Sequence, residues 1–176
     1  MRCFAMKRRT ELWWNALAAA AVVALDQWVK SLTVSTLRLG ESAPLFPGLL
    51  ELRYVRNFGA AWSSFSGARW LLVGVTAVGM LVLAWLLVKI VRHPLGVWAL
   101  TAVIAGGVGN LIDRVRLGYV VDMLNCVFMD FPVFNVADCF VVCGTAAALI
   151  YYIRIYPDTD AKNWEKTDGT VCSDGE

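Results

Sequence analysis

The sequence predicts an all-α integral membrane protein: four transmembrane helices with a small extracytoplasmic β-like cradle. Hydrophobic residues make up 59% of the 176 and charged residues only 17%, and the mean hydropathy is +0.59. The apolar residues also arrive in four long blocks, unlike the short periodic patterns that build a soluble core. A net charge of +2 is too small to draw the chain to nucleic acid. No basic tract is interleaved with aromatics as a single-strand groove requires, so nucleic acid is excluded as a partner.

The first helix is placed at about residues 12–32. Arg2, Lys7, Arg8 and Arg9 precede an alanine-rich core as in a cleaved leader. No A-x-A site follows, however, and Asp26, Gln27 and Lys30 prolong the same helical rise, which favours a retained membrane span. The second helix, about 69–89, and the third, about 95–114, are long enough unaided. The first and the fourth, about 136–155, reach the roughly 20 residues that hydrocarbon demands only by taking in Asp26 and Asp138, which sets those acids near a membrane face. The four form a single membrane-embedded domain over residues 1–155, followed by a polar cytoplasmic tail, 156–176, expected to be disordered.

Basic residues fix the expected orientation. They cluster before the first helix, at Lys89 and Arg92 in the second connection, and at Arg154, Lys162 and Lys166 after the fourth, which puts both termini in the cytoplasm. The two outer connections then hold the unusual residues. Residues 31–69 carry Pro44, Pro47 and a β-like run from Leu50 to Val55. Residues 115–136 carry Gly118, Asp122 and Pro132.

Polar groups in or beside lipid are costly, a carboxylate at a helix centre about 2.5 to 3.5 kcal/mol on insertion scales, so each needs a reason. On the third helix Gly107, Asn110 and Arg114 share one face, and Gly106, Asn110 and Asp113 an overlapping one. The glycines are consistent with close helix packing, whereas Asn110 with Arg114 makes a face for a carbonyl or carboxylate. Asn135 and Asp138 stand as N-cap and third residue of the fourth helix, so Asp138 serves either the helix start alone or an ionised site on its dipole. Asp122, in the extended run Gly118–Met123, is either a solvated loop acid or the partner of Asp138; two close carboxylates hold one proton between them. Asp26 and Lys30, four apart, suit a structural ion pair. Asn57 through Trp62 is a loop of small residues that lets backbone approach a ligand.

These blocks, Asp26-Gln27 with Lys30, Asn57 to Ser63, Gly106 to Arg114, Gly118 to Asp122 and Phe131 to Asp138, occur in the order found in the lipoprotein signal peptidase (signal peptidase II) family, which the chain resembles over about Asp26 to Gly144. The resemblance implies an aspartyl endopeptidase with Asp122 and Asp138 catalytic. Asn57, Gly59, Asn110, Arg114, Asn135, Ala137, Asp26 and Lys30 then bind substrate or support the site. It implies a diacylglyceryl-modified prolipoprotein as substrate, cut before the lipidated cysteine, in the bacterial inner membrane with the site near its extracytoplasmic face. The expected partners are that substrate and membrane lipid, with the chain acting as a monomer. No cofactor is expected, and with one histidine and five scattered cysteines no metal. Trp62, Met123 and Cys139 depart from the family's usual phenylalanine, phenylalanine and serine. Cys139 and Cys143, one helical turn apart, read as packed thiols and not a disulfide. The alternatives are a small proton-coupled transporter and a non-catalytic membrane assembly factor.

Overall fold

The computed structural model describes residues 2–59, 64–65 and 67–159, the side chains of 2–11 and 158 excepted. The chain runs α1 (Arg2–Thr36), β1 (Ser42–Phe46), β2 (Leu50–Asn57), α2 (Arg69–Lys89), α3 (Pro94–Arg116), β3 (Val120–Cys126) and α4 (Val136–Arg154), then a short 3-10 turn, Tyr156–Asp158. Among the described residues four stretches are long and apolar enough to cross a membrane: Leu12–Thr36 and the whole of α2, α3 and α4. Leucine, valine and tryptophan side chains stand exposed along them, among them Trp70, Val75, Leu81 and Trp85 on α2. In water that surface would be prohibitive; in lipid it is the expected exterior.

α1 runs four residues beyond its expected end. No breaker intervenes before Gly40, and the hydroxyls of Thr33 and Thr36 donate back to the carbonyls of Val29 and Leu32, the partners that threonine finds within a helix. The all-α expectation needs correcting. The connections α1–α2 and α3–α4 build a three-stranded antiparallel sheet in the order β1-β2-β3. Only β2 and the run around Asp122 were legible as extended; β1, with Pro44 in it, was not, and its place at the sheet edge is where proline is tolerated. Tyr54, Val121 and Met123 form the buried core beneath the sheet. The polar tail starts with the 3-10 turn, where Tyr156 packs against Tyr151 and Tyr152; residues 160–176, like Ala60 to Ser63 of the small-residue loop and hence Trp62, lie outside the described residues.

α3 is the axis of the bundle, packed on α1, α2 and α4. Glycine makes this possible. A Cβ on Gly106 would strike the Ala137 carbonyl and sit 2.8 Å from the Val141 side chain, and one on Gly109 would sit 2.7 Å from the Asp26 carboxylate. Gly107, by contrast, faces Met80 of α2, so the glycines serve three different neighbours. α3 is stopped by Gly118, two residues past its end, whose φ of 87° is left-handed; its N–H bonds to the Arg114 carbonyl, a helix stop that glycine makes cheaply. Arg69, at the start of α2, donates to the Arg114 and Val115 carbonyls at 2.7 and 2.6 Å, placing positive charge on the negative end of α3. This junction delivers β3, and Asp122 with it, to the same end of the bundle as the first turn of α4.

Candidate active site

Asp122 faces inward from β3, opposite Val55 of β2, and is 2% exposed. Asp138 is the third residue of α4. Asn135 caps that helix: its side-chain oxygen accepts from the Asp138 N–H at 2.9 Å, and the Asn135 N–H donates to the Asp138 carboxylate at 3.1 Å. Because the cap commits the amide oxygen, the amide nitrogen is left pointing outward, and it donates to Asp122 at 2.7 Å and to the Asn110 side-chain oxygen at 3.0 Å. One asparagine thus touches both aspartates. The capping box seats Asp138 in the helix start, and the residue that makes it ties the same turn to Asp122.

Asn110 is oriented by a charge behind it. Lys30, 3% exposed, donates to the Asn110 oxygen at 2.9 Å and is held by Asp26 and Asp113, each at 2.9 Å. With its oxygen engaged by Lys30 and Asn135, the Asn110 amide presents its nitrogen to Asp138 at 2.7 Å. Asp26 uses its other oxygen to accept from the Ala137 N–H in the first turn of α4 at 2.9 Å, where a helix start offers unpaired donors and favours negative charge. Asp26–Lys30 is therefore more than a local pair along α1; it ties α1, α3 and α4 together.

On the other side of Asp122, Asn57 donates to it at 3.0 Å. Asn57 also accepts from the Gly59 N–H at 2.9 Å, and Arg114 donates to the Gly59 carbonyl at 2.9 Å, so the start of the loop is pinned over the site. Burial and then the neighbouring Asp138 carboxylate push the Asp122 carboxyl up to about 6, against the pull of the Asn135 and Asn57 amides and the Lys30 charge.

A cavity of about 540 Å³ opens on this arrangement. Asn57, Asn110, Arg114, Asp122 and Asp138 supply its polar wall, and Val120, Phe131 to Phe134, Val141, Val142 and the thiols of Cys139 and Cys143 the rest. A polar floor under an apolar wall suits a ligand with a peptide bond and a hydrophobic body. Of the residues singled out from sequence, Gly59 joins through Arg114, while Asn135, Ala137, Asp26 and Lys30 sit behind the cavity and brace it. Sequence reasoning left Gln27 and Asp113 out of the site. Gln27 donates to Asp113 at 2.9 Å and to the Gly109 carbonyl at 3.2 Å, and Asp113 also accepts from the Val121 N–H at 3.2 Å, tying α3 to β3. The signal was present: Asp113 follows Asn110 by three on the polar face, and Gln27 adjoins Asp26. Among the described residues no group of three or more His, Cys, Asp or Glu is placed to hold a metal ion.

The family model described as signal peptidase (SPase) II matches residues 18–154, a stretch that takes in every one of these side chains. The chain belongs to the signal peptidase II family. It is 46% identical over 140 residues to a lipoprotein signal peptidase of Enterococcus faecalis, covering 78% of this chain and 86% of that one. It is 42% identical over 137 residues to one of Lactococcus lactis subsp. cremoris, covering 78% and 89%. A solved bacterial membrane enzyme superposes with a TM-score of 0.75 at 29% identity, over 92% of this chain and 93% of that one, and a second with the same TM-score at 31% identity, over 80% and 93%.

Proposed function

We propose that this signal peptidase II is an aspartyl endopeptidase whose catalytic pair is Asp122 and Asp138, and that it cuts diacylglyceryl-modified prolipoproteins just before the lipidated cysteine. Removal of signal peptides from prolipoproteins, by a multi-pass protein of the bacterial inner membrane, follows from family membership and the four apolar spans. The observation that carries the finer reading is Asn135, which donates to Asp122 while capping the helix that presents Asp138, with both carboxyls on one cavity wall.

In the proposed reaction Asp138, as carboxylate, takes a proton from a water whose oxygen adds to the scissile carbonyl carbon. Asp122, protonated, hydrogen-bonds the carbonyl oxygen and passes it a proton as the tetrahedral intermediate forms. Collapse breaks the C–N bond, the proton held by Asp138 goes to the leaving amine, and the proton on the intermediate's hydroxyl returns to Asp122. The raised Asp122 carboxyl supports this division of roles, since it holds a proton at a pH where an ordinary aspartate does not. Arg114 and Asn57 fix the loop that lies over the substrate chain. Asp26, Lys30, Asn110, Asn135 and Ala137 hold the aspartates in register.

The same reading places the site near the extracytoplasmic face and both termini in the cytoplasm, supported by Lys89, Arg92 and Arg154 at the opposite end of the bundle. A substrate anchored by its acyl chains then meets the apolar cavity wall from within the bilayer. The reading keeps residues 1–155 as a single domain that acts as a monomer. The transporter and assembly-factor readings are withdrawn, because the family is one of peptidases and the buried charges gather at one end of the bundle instead of crossing it. The test is cleavage in detergent of one prolipoprotein with and without its diacylglyceryl group, with product masses read. A cut before the cysteine that requires the lipid supports the proposal; a cut elsewhere, or one indifferent to lipid, contradicts it.

A further inference from the structure

The proposed chemistry makes no use of Cys139. It is half-buried and Cys143 is exposed, both are free thiols, and both line the cavity that holds Asp122 and Asp138. Four residues apart on α4, they share one helix face, with Cβ atoms roughly 5 to 6 Å apart. That is too far for a disulfide, which needs about 3.5 to 4.5 Å between Cβ atoms. It is close enough for one soft centre to bind both sulfurs, since a bridging atom adds two bonds of about 2.3 Å each for a zinc-sized thiophile. The apolar wall of Val141, Val142 and Phe131 beside them would receive a hydrophobic substituent on that centre.

We propose that Cys139 and Cys143 form a dithiol site for trivalent arsenicals in the wall of the active-site cavity, and that its occupation shuts the peptidase. An organoarsenic oxide, R–As=O, condenses with the two thiols to give R–As(S)₂. Two As–S bonds form, the As=O oxygen leaves as water with both thiol protons, and arsenic stays trivalent, so no oxidant or reductant is consumed. The adduct sits one residue from Asp138 and projects its substituent into the space a substrate occupies. The blocking effect rests on the active-site reading above, whereas formation of the adduct does not.

The probe is phenylarsine oxide, applied to the full chain in detergent, with intact mass and prolipoprotein cleavage read on the same sample. Each Cys→Ser variant is compared with its own untreated activity. The proposal expects one phenylarsenic group on the wild type, loss of cleavage, and recovery of both on adding 2,3-dimercaptopropanol but not a monothiol. Cys139→Ser and Cys143→Ser should each escape adduct and inhibition. Adduct that persists in Cys139→Ser/Cys143→Ser, or adduct on the wild type with cleavage intact, overturns the proposal. Separate loss or retention of activity in Asp122→Asn, untreated, tells a failure of this site from a failure of the active-site assignment.

Discussion

Asp122 and Lys30 show how single buried groups set the behaviour of this site. The Asp122 carboxyl binds its proton more tightly folded, at about 6, than at the ordinary aspartate value of 3.8. The stability this group contributes is therefore whole below the lower value and is lost as pH rises through the higher, amounting to about 3 kcal/mol at roughly 1.4 kcal/mol per unit. Asp122→Asn removes that dependence. Its melting temperature in detergent should gain on the wild type between pH 4 and 7 and hold a constant offset above that; a constant offset throughout would show an unshifted Asp122. For the same reason kcat/KM of the wild type should decline as pH rises past about 6, the protonated form being the one the reaction uses. Lys30 neutralises two buried acids, Asp26 and Asp113. Lys30→Met leaves both uncompensated and should cost about 3 to 5 kcal/mol, read as a lowered melting temperature that Asp113→Asn partly restores. Asp26 with Lys30 was legible as a pair from spacing along one helix. Asp113 as their third partner was not, because local sequence does not say which face of α3 meets α1.

α3 and the start of α4 carry the element-scale argument, since a helix crossing and a helix cap together aim the aspartates. Gly109→Ala puts a methyl 2.7 Å from the Asp26 carboxylate and 3.3 Å from the Ala137 side chain. It should destabilise by about 1 to 3 kcal/mol, as overpacking does, and lower kcat by displacing the first turn of α4. Asn135→Asp separates two roles of one residue. Aspartate caps a helix as well as asparagine, so α4 and the melting temperature should survive below the pKa of the new acid. The amide's two donors, which serve Asp122 and Asn110 together, are replaced by one at most, however, and cleavage should fall. Equal loss of stability and activity would mean Asn135 is only a cap. The four spans could be read from their apolar length, and the cap from the order Asn135 to Asp138, because both are local. β1 could not: Pro44 and a bulge between Pro44 and Phe46 erase the alternation that marks a strand, and only pairing with β2 makes it one.

At the scale of the whole molecule, a four-helix bundle offers lipid its apolar surface and gathers its buried charge at one end, under a small sheet that carries Asp122 across to Asp138. That juxtaposition joins residues from α1, β2, α3, β3 and α4, and it was legible only because the motifs match a family in order; periodicity and composition lead to a membrane bundle and stop there. The apolar cavity wall, the Arg69 clamp on the end of α3 and the bracing by Gln27 depend on how elements pack, which no local pattern encodes. The proposed orientation predicts that a single reactive cysteine at Arg92, in a variant lacking the native cysteines, is reached by an impermeant thiol reagent only after the inner membrane is opened; labelling in intact spheroplasts would reverse the topology. The aspartyl pair itself is tested most directly by single-turnover cleavage of a diacylglyceryl-modified prolipoprotein with Asp122→Asn and Asp138→Asn, each shown to be folded by its melting transition. The account predicts that either substitution abolishes cleavage while substrate is still bound. Near-normal cleavage by either folded variant would remove that aspartate from the chemistry and contradict the pair.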